Sequence, residues 1–160
     1  MPDPDVTEAE FDTTFDRYWL PVFRFALAWT NDWASAEDLT QDAFVKLWAK
    51  RSELDWSKPL LPWLLTAARR LATDRFRRLR AALRTTDGSD AGGGFVDSDA
   101  HIRWLDIRPK LAQLSPTQRS ALVLTKVVGL SPEQAAQTLG TSPGAIRAAV
   151  SRARANLVEP

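Results

Sequence analysis

The chain has 160 residues, no cysteine, one histidine and a formal net charge of only +1. That length fits one large or two small domains, the missing thiols exclude disulfides and thiolate metal sites, and a single histidine excludes a histidine metal cluster. The small net charge conceals a polarity. Residues 1–56 hold twelve Asp and Glu against five Lys and Arg, residues 63–84 seven Arg against one acid, Asp74, and residues 104–160 seven Lys and Arg against three acids. Two partners are therefore expected, one of them a polyanion.

Residues 1–7 start Met-Pro-Asp-Pro-Asp and read as disordered. They have neither the basic start nor the apolar core of a signal peptide. No apolar run approaches the roughly 18 residues of a membrane span, so no membrane insertion and a cytoplasmic location are expected. Over residues 8–30 the positions Phe11, Phe15, Trp19, Val22, Phe23, Ala26 and Trp29 recur at steps of three and four, an amphipathic helix that Pro21 should kink or split. Asn31-Asp32 marks a break. A second helix is predicted from residue 33 or 35 to 51, with Leu39, Ala43, Phe44, Leu47 and Trp48 on one face. Residues 53–62 form a loop with two prolines. A third helix follows from about residue 60 to 80 or beyond, with Leu64, Ala67, Ala68, Leu71 and Phe76 as its stripe. Trp19, Trp29, Trp48 and Trp63 read as core aromatics.

Residues 85–100 contain four glycines and no apolar periodicity, the composition of a flexible linker. His101 falls at its end and reads as solvated and without function. A fourth helix is predicted over about 101–113. Three Ser-Pro pairs, at 115–116, 131–132 and 142–143, then open three short helices, because serine caps a helix start and proline fits its first position. Ser115 with Gln118 and Ser131 with Gln134 complete capping boxes. Gly140 can take the left-handed conformation that ends a helix. The last helix carries Arg147, Arg152 and Arg154, so the last two helices have the layout of a helix-turn-helix that enters a DNA major groove. No period-two strand pattern occurs. The fold class is all-α: two small helical domains, 1–84 and 104–160, joined by a flexible linker, 85–103.

Two stretches carry a resemblance. Residues 36–48, Ala-Glu-Asp-Leu-Thr-Gln-Asp-Ala-Phe-Val-Lys-Leu-Trp, and residues 62–74 are similar to region 2 of bacterial sigma factors. Leu114-Ser-Pro-Thr-Gln-Arg, Gly129-Leu130-Ser-Pro-Glu-Gln-Ala-Ala, Gly144-Ala-Ile-Arg147 and Ser151-Arg-Ala-Arg154 resemble region 4. Together, in this order and over roughly residues 11–80 and 104–157, they resemble the small two-domain extracytoplasmic-function (ECF) sigma factors. The resemblance implies binding to core RNA polymerase, recognition of promoter DNA, an anti-sigma factor as regulator, and no catalysis, cofactor or small-molecule substrate.

Asp38, Gln41 and Asp42 share one helix face by spacing. By itself this is a solvated acidic face or a complement to the helix dipole; in the family the matching positions dock on the polymerase clamp helices. Arg69, Arg70, Arg75, Arg77, Arg78, Arg80 and Arg84 make a phosphate-binding surface, which the family uses at the −10 promoter element, capturing an unstacked base. The matching loop holds Trp56 and Lys58; Trp56 either stacks on a base or plugs the core. Arg147, Ser151, Arg152 and Arg154 are the candidates for the −35 element, with Arg152 reading a guanine and Arg147 on phosphate, while Ile146 and Val150 pack. Three positions depart from the family. Arg70 stands where asparagine is common, and Ala148-Ala149 replaces a Ser-Arg pair. A free-standing helix-turn-helix regulator is the alternative function. An enzyme acting on nucleic acid lacks any catalytic constellation here.

Overall fold

A computed structural model describes residues 6–82 and 98–158. Helix α1 spans Glu8–Thr30 and α2 Trp33–Ala49. A 3₁₀ turn, Arg51–Glu53, and a loop lead to α3, Leu61–Ala82. After the segment 83–97 come α4, Ser98–Leu111, and α5, Pro116–Leu122. The chain runs on as a π-helical turn, Val123–Val127, and then as α6, Pro132–Leu139, and α7, Pro143–Val158. The described residues are all helix, turn and loop, as the periodicity requires.

Local chemistry sets the helix ends. Ser115 and Ser131 form the expected capping boxes, and the Ser142 hydroxyl accepts from the Ala145 amide at 3.1 Å. Gly140 ends α6 at φ 66°, a region open to glycine at little cost. Asn31 ends α1 the same way at φ 50°, its amide donating to the Leu27 carbonyl. Thr7 caps α1 with a capping box to Glu10, and Val6 is buried, so these two residues are not part of a disordered start. The rest of that expectation, residues 1–5, lies outside the described residues.

Pro21 does not split α1, which runs as a single element through it. A proline inside a helix costs about 3 kcal/mol. Burying Val22, Phe23 and Phe25 just beyond it, at about 1.5–3 kcal/mol each, outweighs that cost. Phe76, read as part of the α3 stripe, is instead 55% exposed, as is its neighbour Leu79 at 59%. The apolar face of α3 is used up by Ala72, and the last turns project past the bundle.

The core joins the two halves. One apolar cluster contains Val22, Phe25, Leu47 and Leu64 together with Leu124, Ala135 and Ile146. A second holds Phe23, Trp33, Ala36, Leu39 and Ala72 with Trp104 of α4. Helix α4 starts at Ser98, so residues 98–103, read as the end of the linker, are its first turns. His101 is not solvated there: its ring stacks on Trp33 at 4.4 Å. The linker residues 85–97 lie outside the described residues.

Arg119 of α5 is buried and bonds only to carbonyl oxygens. It donates to Leu111 and Leu114 of its own half, at 3.3 and 2.5 Å. It also donates to Ala28 and Trp29 at the end of α1, at 2.6 and 3.2 Å. Those two are among the last carbonyls of α1, which have no partner within the helix. Burial pulls the guanidinium below its ordinary pKa. Nearby, Asn31 Nδ2 donates to the Arg108 carbonyl at 3.4 Å and Arg108 Nε to the Asn31 carbonyl at 3.2 Å.

Candidate nucleic-acid interface

The face of α2 expected to dock on protein is built at its first turns. The Asp32 side chain caps the helix by accepting from the Ser35 amide and hydroxyl at 3.0 and 2.6 Å. The hydroxyl bond above all holds the Asp32 carboxyl below its usual range. Leu39, Ala43, Phe44 and Leu47 bury the opposite side. This leaves Asp38 half-buried and Gln41, Asp42 and Val45 exposed. Glu37 turns inward and is only 5% exposed. Burial raises its pKa, the neighbouring Asp38 charge adds to the rise, and His101 opposes it.

Asp42 forms an ion pair with Arg75 of α3. Spacing assigns these residues to different partners, yet the fold sets them side by side. Both are substantially exposed, and such a pair contributes only about 0–1 kcal/mol, so either is available for exchange.

The end of α2, the 3₁₀ turn and the start of α3 enclose a cleft of about 350 Å³ lined by Lys46, Lys50, Leu54, Trp63, Thr66 and Arg70, among others. Lys50 is paired with Glu53 at 3.4 Å. Arg70 lines this cleft together with Lys46, Lys50 and the acid Glu53. Lys46, Lys50 and Thr66 are not singled out by the sequence; the four-residue step between the lysines puts both on one face, but nothing local ties that face to Arg70. Trp56 packs against the core, and its indole donates to the Arg51 carbonyl at 2.9 Å. Of its two readings, the geometry matches the plug. Lys58 is exposed at the loop tip, 4.0 Å from Asp55.

The arginines of α3 separate into three environments. Arg70, Arg77, Arg78 and Arg80 face solvent, with Arg80 over the Phe76 ring at 4.7 Å. Arg75 is paired with Asp42. Arg69 is half-buried and directed at the helix-turn-helix, its guanidinium 3.8 Å from where a Cβ on Gly140 would stand. Its Nε is buried and has no hydrogen-bond partner. Arg84 lies outside the described residues.

In the helix-turn-helix, Ile146, Ala149 and Ala153 bury one side of α7, and Val150 packs beside them. Arg147, Ala148, Ser151, Arg152 and Arg154 are exposed. Arg147, Ser151 and Arg154 line a groove of about 280 Å³ that also includes Thr125 and Lys126 of the π-helical turn. Arg147 reaches Glu133 of α6 at 3.0 Å. Arg152 is not on that groove. The surface carries the exposed arginines of α7 with Lys126 of the π-helical turn at its edge.

No helix among the described residues is long and apolar enough to cross a membrane. Comparison with known proteins matches residues 14–82 to sigma-70 region 2 and residues 105–157 to sigma-70 region 4. The chain is 36% identical over 137 residues to the ECF RNA polymerase sigma factor SigC of Mycobacterium tuberculosis, covering 83% of this chain and 73% of that one. It is 33% identical to the RNA polymerase sigma factor CarQ of Myxococcus xanthus, covering 89% and 84%. Among solved structures, the sigma factor RpoE from Bartonella quintana, in complex with the anti-sigma factor NepR, matches with a TM-score of 0.71 at 30% identity, over 92% of this chain and 93% of that one.

Proposed function

The chain belongs to the sigma-70 family as an ECF sigma factor with a region 2 and a region 4, and from that premise we propose which of its surfaces perform each part of the work. Such a factor directs RNA polymerase to promoters and is not an enzyme. In this reading Asp38, Gln41 and Asp42 dock on core polymerase, with exposed Val45 beside them adding an apolar contact. The observation that carries the reading is one of placement: the acidic face occupies the middle of α2, and the basic cleft at Arg70 begins one turn further on, at Lys46. Polymerase docked on the one therefore leaves the other open to DNA.

The cleft takes an unstacked base of the −10 element. Extruding a base costs a few kcal/mol, which stacking on Trp63 and hydrogen bonds from Lys46, Lys50, Thr66 and Arg70 offset. Lys58, Arg69, Arg77 and Arg78 hold the adjoining phosphates, and Arg75 joins them when Asp42 is taken up by polymerase. Trp56 supports the loop from behind. Region 4 reads the −35 element through α7, with Arg152 on a base and Arg147, Ser151 and Arg154 on the backbone. In this reading the chain divides into region 2 and region 4 units at the segment 85–103, of which residues 98–103 belong to α4. An anti-sigma factor, as in the Bartonella complex, is the proposed regulator, and the cytoplasm the proposed location.

The test is transcription in vitro from a genomic library with core enzyme and this protein. Discrete start sites that depend on the protein support the assignment. DNA binding without any protein-dependent start site would instead favour a free-standing regulator.

A further inference from the structure

The cleft between α2 and α3 carries an acid as well as its cations. Arg70 lines it from α3, on the same helix face as Trp63 and Thr66. Glu53 lines it from the 3₁₀ turn. Lys50 holds Glu53 by its Oε2 at 3.4 Å. A carboxylate has about four lone-pair sites on its two oxygens, so Glu53 can still accept from a ligand. Among the described residues no acid pairs with Arg70. The cleft thus offers a fork of donors from one wall and a pair of acceptors from another. We propose that it selects guanine, and that Arg70 and Glu53 make the choice. The inference rests on the cleft being the site of an extruded base.

A base out of the stack exposes more than one edge. Guanine carries two acceptors, O6 and N7, on one edge and two donors, N1–H and N2–H₂, on another. The Arg70 fork matches the first pair and the Glu53 carboxylate the second. Adenine sets its N6 amino donor beside N7, where the fork needs an acceptor. Thymine has one N–H, between two carbonyls that repel a carboxylate. Cytosine has suitable groups, but its donor and both its acceptors lie along a single edge, which cannot meet two walls at once. A polar group enclosed without its partner is penalised, so each mismatch counts against the wrong base.

The other residues of the cleft do not discriminate. Trp63 is half-buried and can stack on any base, since every base has a π-face. The Lys46 ammonium is a point charge that any nucleotide phosphate satisfies. Position 70 is where this chain departs from the asparagine common in the family. Asparagine sets a donor beside an acceptor, the pattern that matches adenine N7 and N6, whereas arginine sets two donors side by side, which match guanine N7 and O6. The departure is therefore a change of readout.

The experiment uses the full-length chain and fluorescent single-stranded thymine oligonucleotides with one central variable base. That base is guanine, adenine, cytosine, thymine, 7-deazaguanine, which lacks the N7 acceptor, or hypoxanthine, which lacks the N2 amino group. Anisotropy gives the affinities. Guanine should bind at least about tenfold more tightly than adenine, cytosine or thymine, and each analogue should lose about fivefold or more against guanine. Arg70 and Glu53 are exposed, so Arg70→Ala and Glu53→Ala should fold, which circular dichroism checks. Arg70→Ala should erase the loss at 7-deazaguanine and keep the loss at hypoxanthine; Glu53→Ala should do the reverse. Lys46→Ala should weaken all six by the same factor. A merely structural role for either residue would not give this crossed pattern. The analogue series on the parent chain needs no variant to fold. Preference for another base, no loss with either analogue, or variants that affect both analogues alike would overturn the inference. Equal binding of all six would overturn guanine selection and leave base capture standing; no binding of any would overturn base capture and the selection with it.

Discussion

Arg147 and Arg152 are five residues apart on α7, about 140° around a helix, and their surroundings differ as well as their angles. Arg147 shares a groove with Lys126, Ser151 and Arg154 and is tied to Glu133; Arg152 is exposed away from that groove. Arg147→Ala is expected to weaken binding to all DNA sequences alike and to lower the salt slope by about one unit. Arg152→Ala should cost about 1–3 kcal/mol and reorder single-base variants of the −35 element. A salt titration and a promoter-variant panel distinguish them; exchanged behaviours would reverse the orientation of α7. Glu37 makes a prediction of another kind. Its folded pKa is raised by burial above the roughly 4.3 of an unfolded glutamate. The folded state then holds the proton more tightly, so this contribution to stability is full below the unfolded pKa and is lost as pH rises through the folded one. Glu37→Gln should therefore be more stable than the parent at neutral pH, with the gain disappearing near about pH 4. Melting curves across pH that run parallel for the two proteins would contradict this.

At the scale of elements, what is readable in the sequence is what local chemistry decides. The Ser-Pro starts, the capping boxes and Gly140 each involve residues within a few positions of one another, and all are legible. Ser131→Ala should cost about 1 kcal/mol in thermal unfolding. Gly140→Ala should cost about 1–2 kcal/mol through its left-handed backbone, since Arg69 at 3.8 Å leaves room for the methyl group. What is not legible depends on partners distant along the chain. Asp42 and Arg75 are 33 residues apart, and no spacing rule pairs them. His101 reads as solvated because its neighbours are linker-like; its shelter comes from Trp33. Arg119 and Arg69 read like any basic residues on a helix, and only the docking of α5 and α6 on the first domain distinguishes them. Pro21 shows the limit of a local rule, because the burial that overrides it is tertiary. The pairing of Asp42 with Arg75 also bears on how the α2 face is tested. Reversal of Asp38 and Asp42 to Lys sets a second positive charge against Arg75, so Arg75→Ala is the matched control. The double reversal should abolish polymerase binding with a nearly unchanged melting curve, while Arg75→Ala should leave polymerase binding intact.

The whole molecule joins an exposed acidic helix face, a cleft lined by Lys46, Lys50 and Arg70, and a basic helix-turn-helix in one short chain. A tether lets modules of modest affinity act together, because each raises the effective concentration of the other at a shared promoter. That arrangement has a use only if polymerase and both promoter elements are engaged by one molecule. The central claim is therefore tested by reconstituted transcription with core RNA polymerase on a genomic library, comparing the parent with Asp38→Lys/Asp42→Lys. The account predicts discrete start sites preceded by a common pair of promoter elements with the parent, and none with the reversed variant, although that variant still binds duplex DNA through α7. Start sites that persist with the reversed variant, or an absence of protein-dependent start sites with the parent, would contradict it.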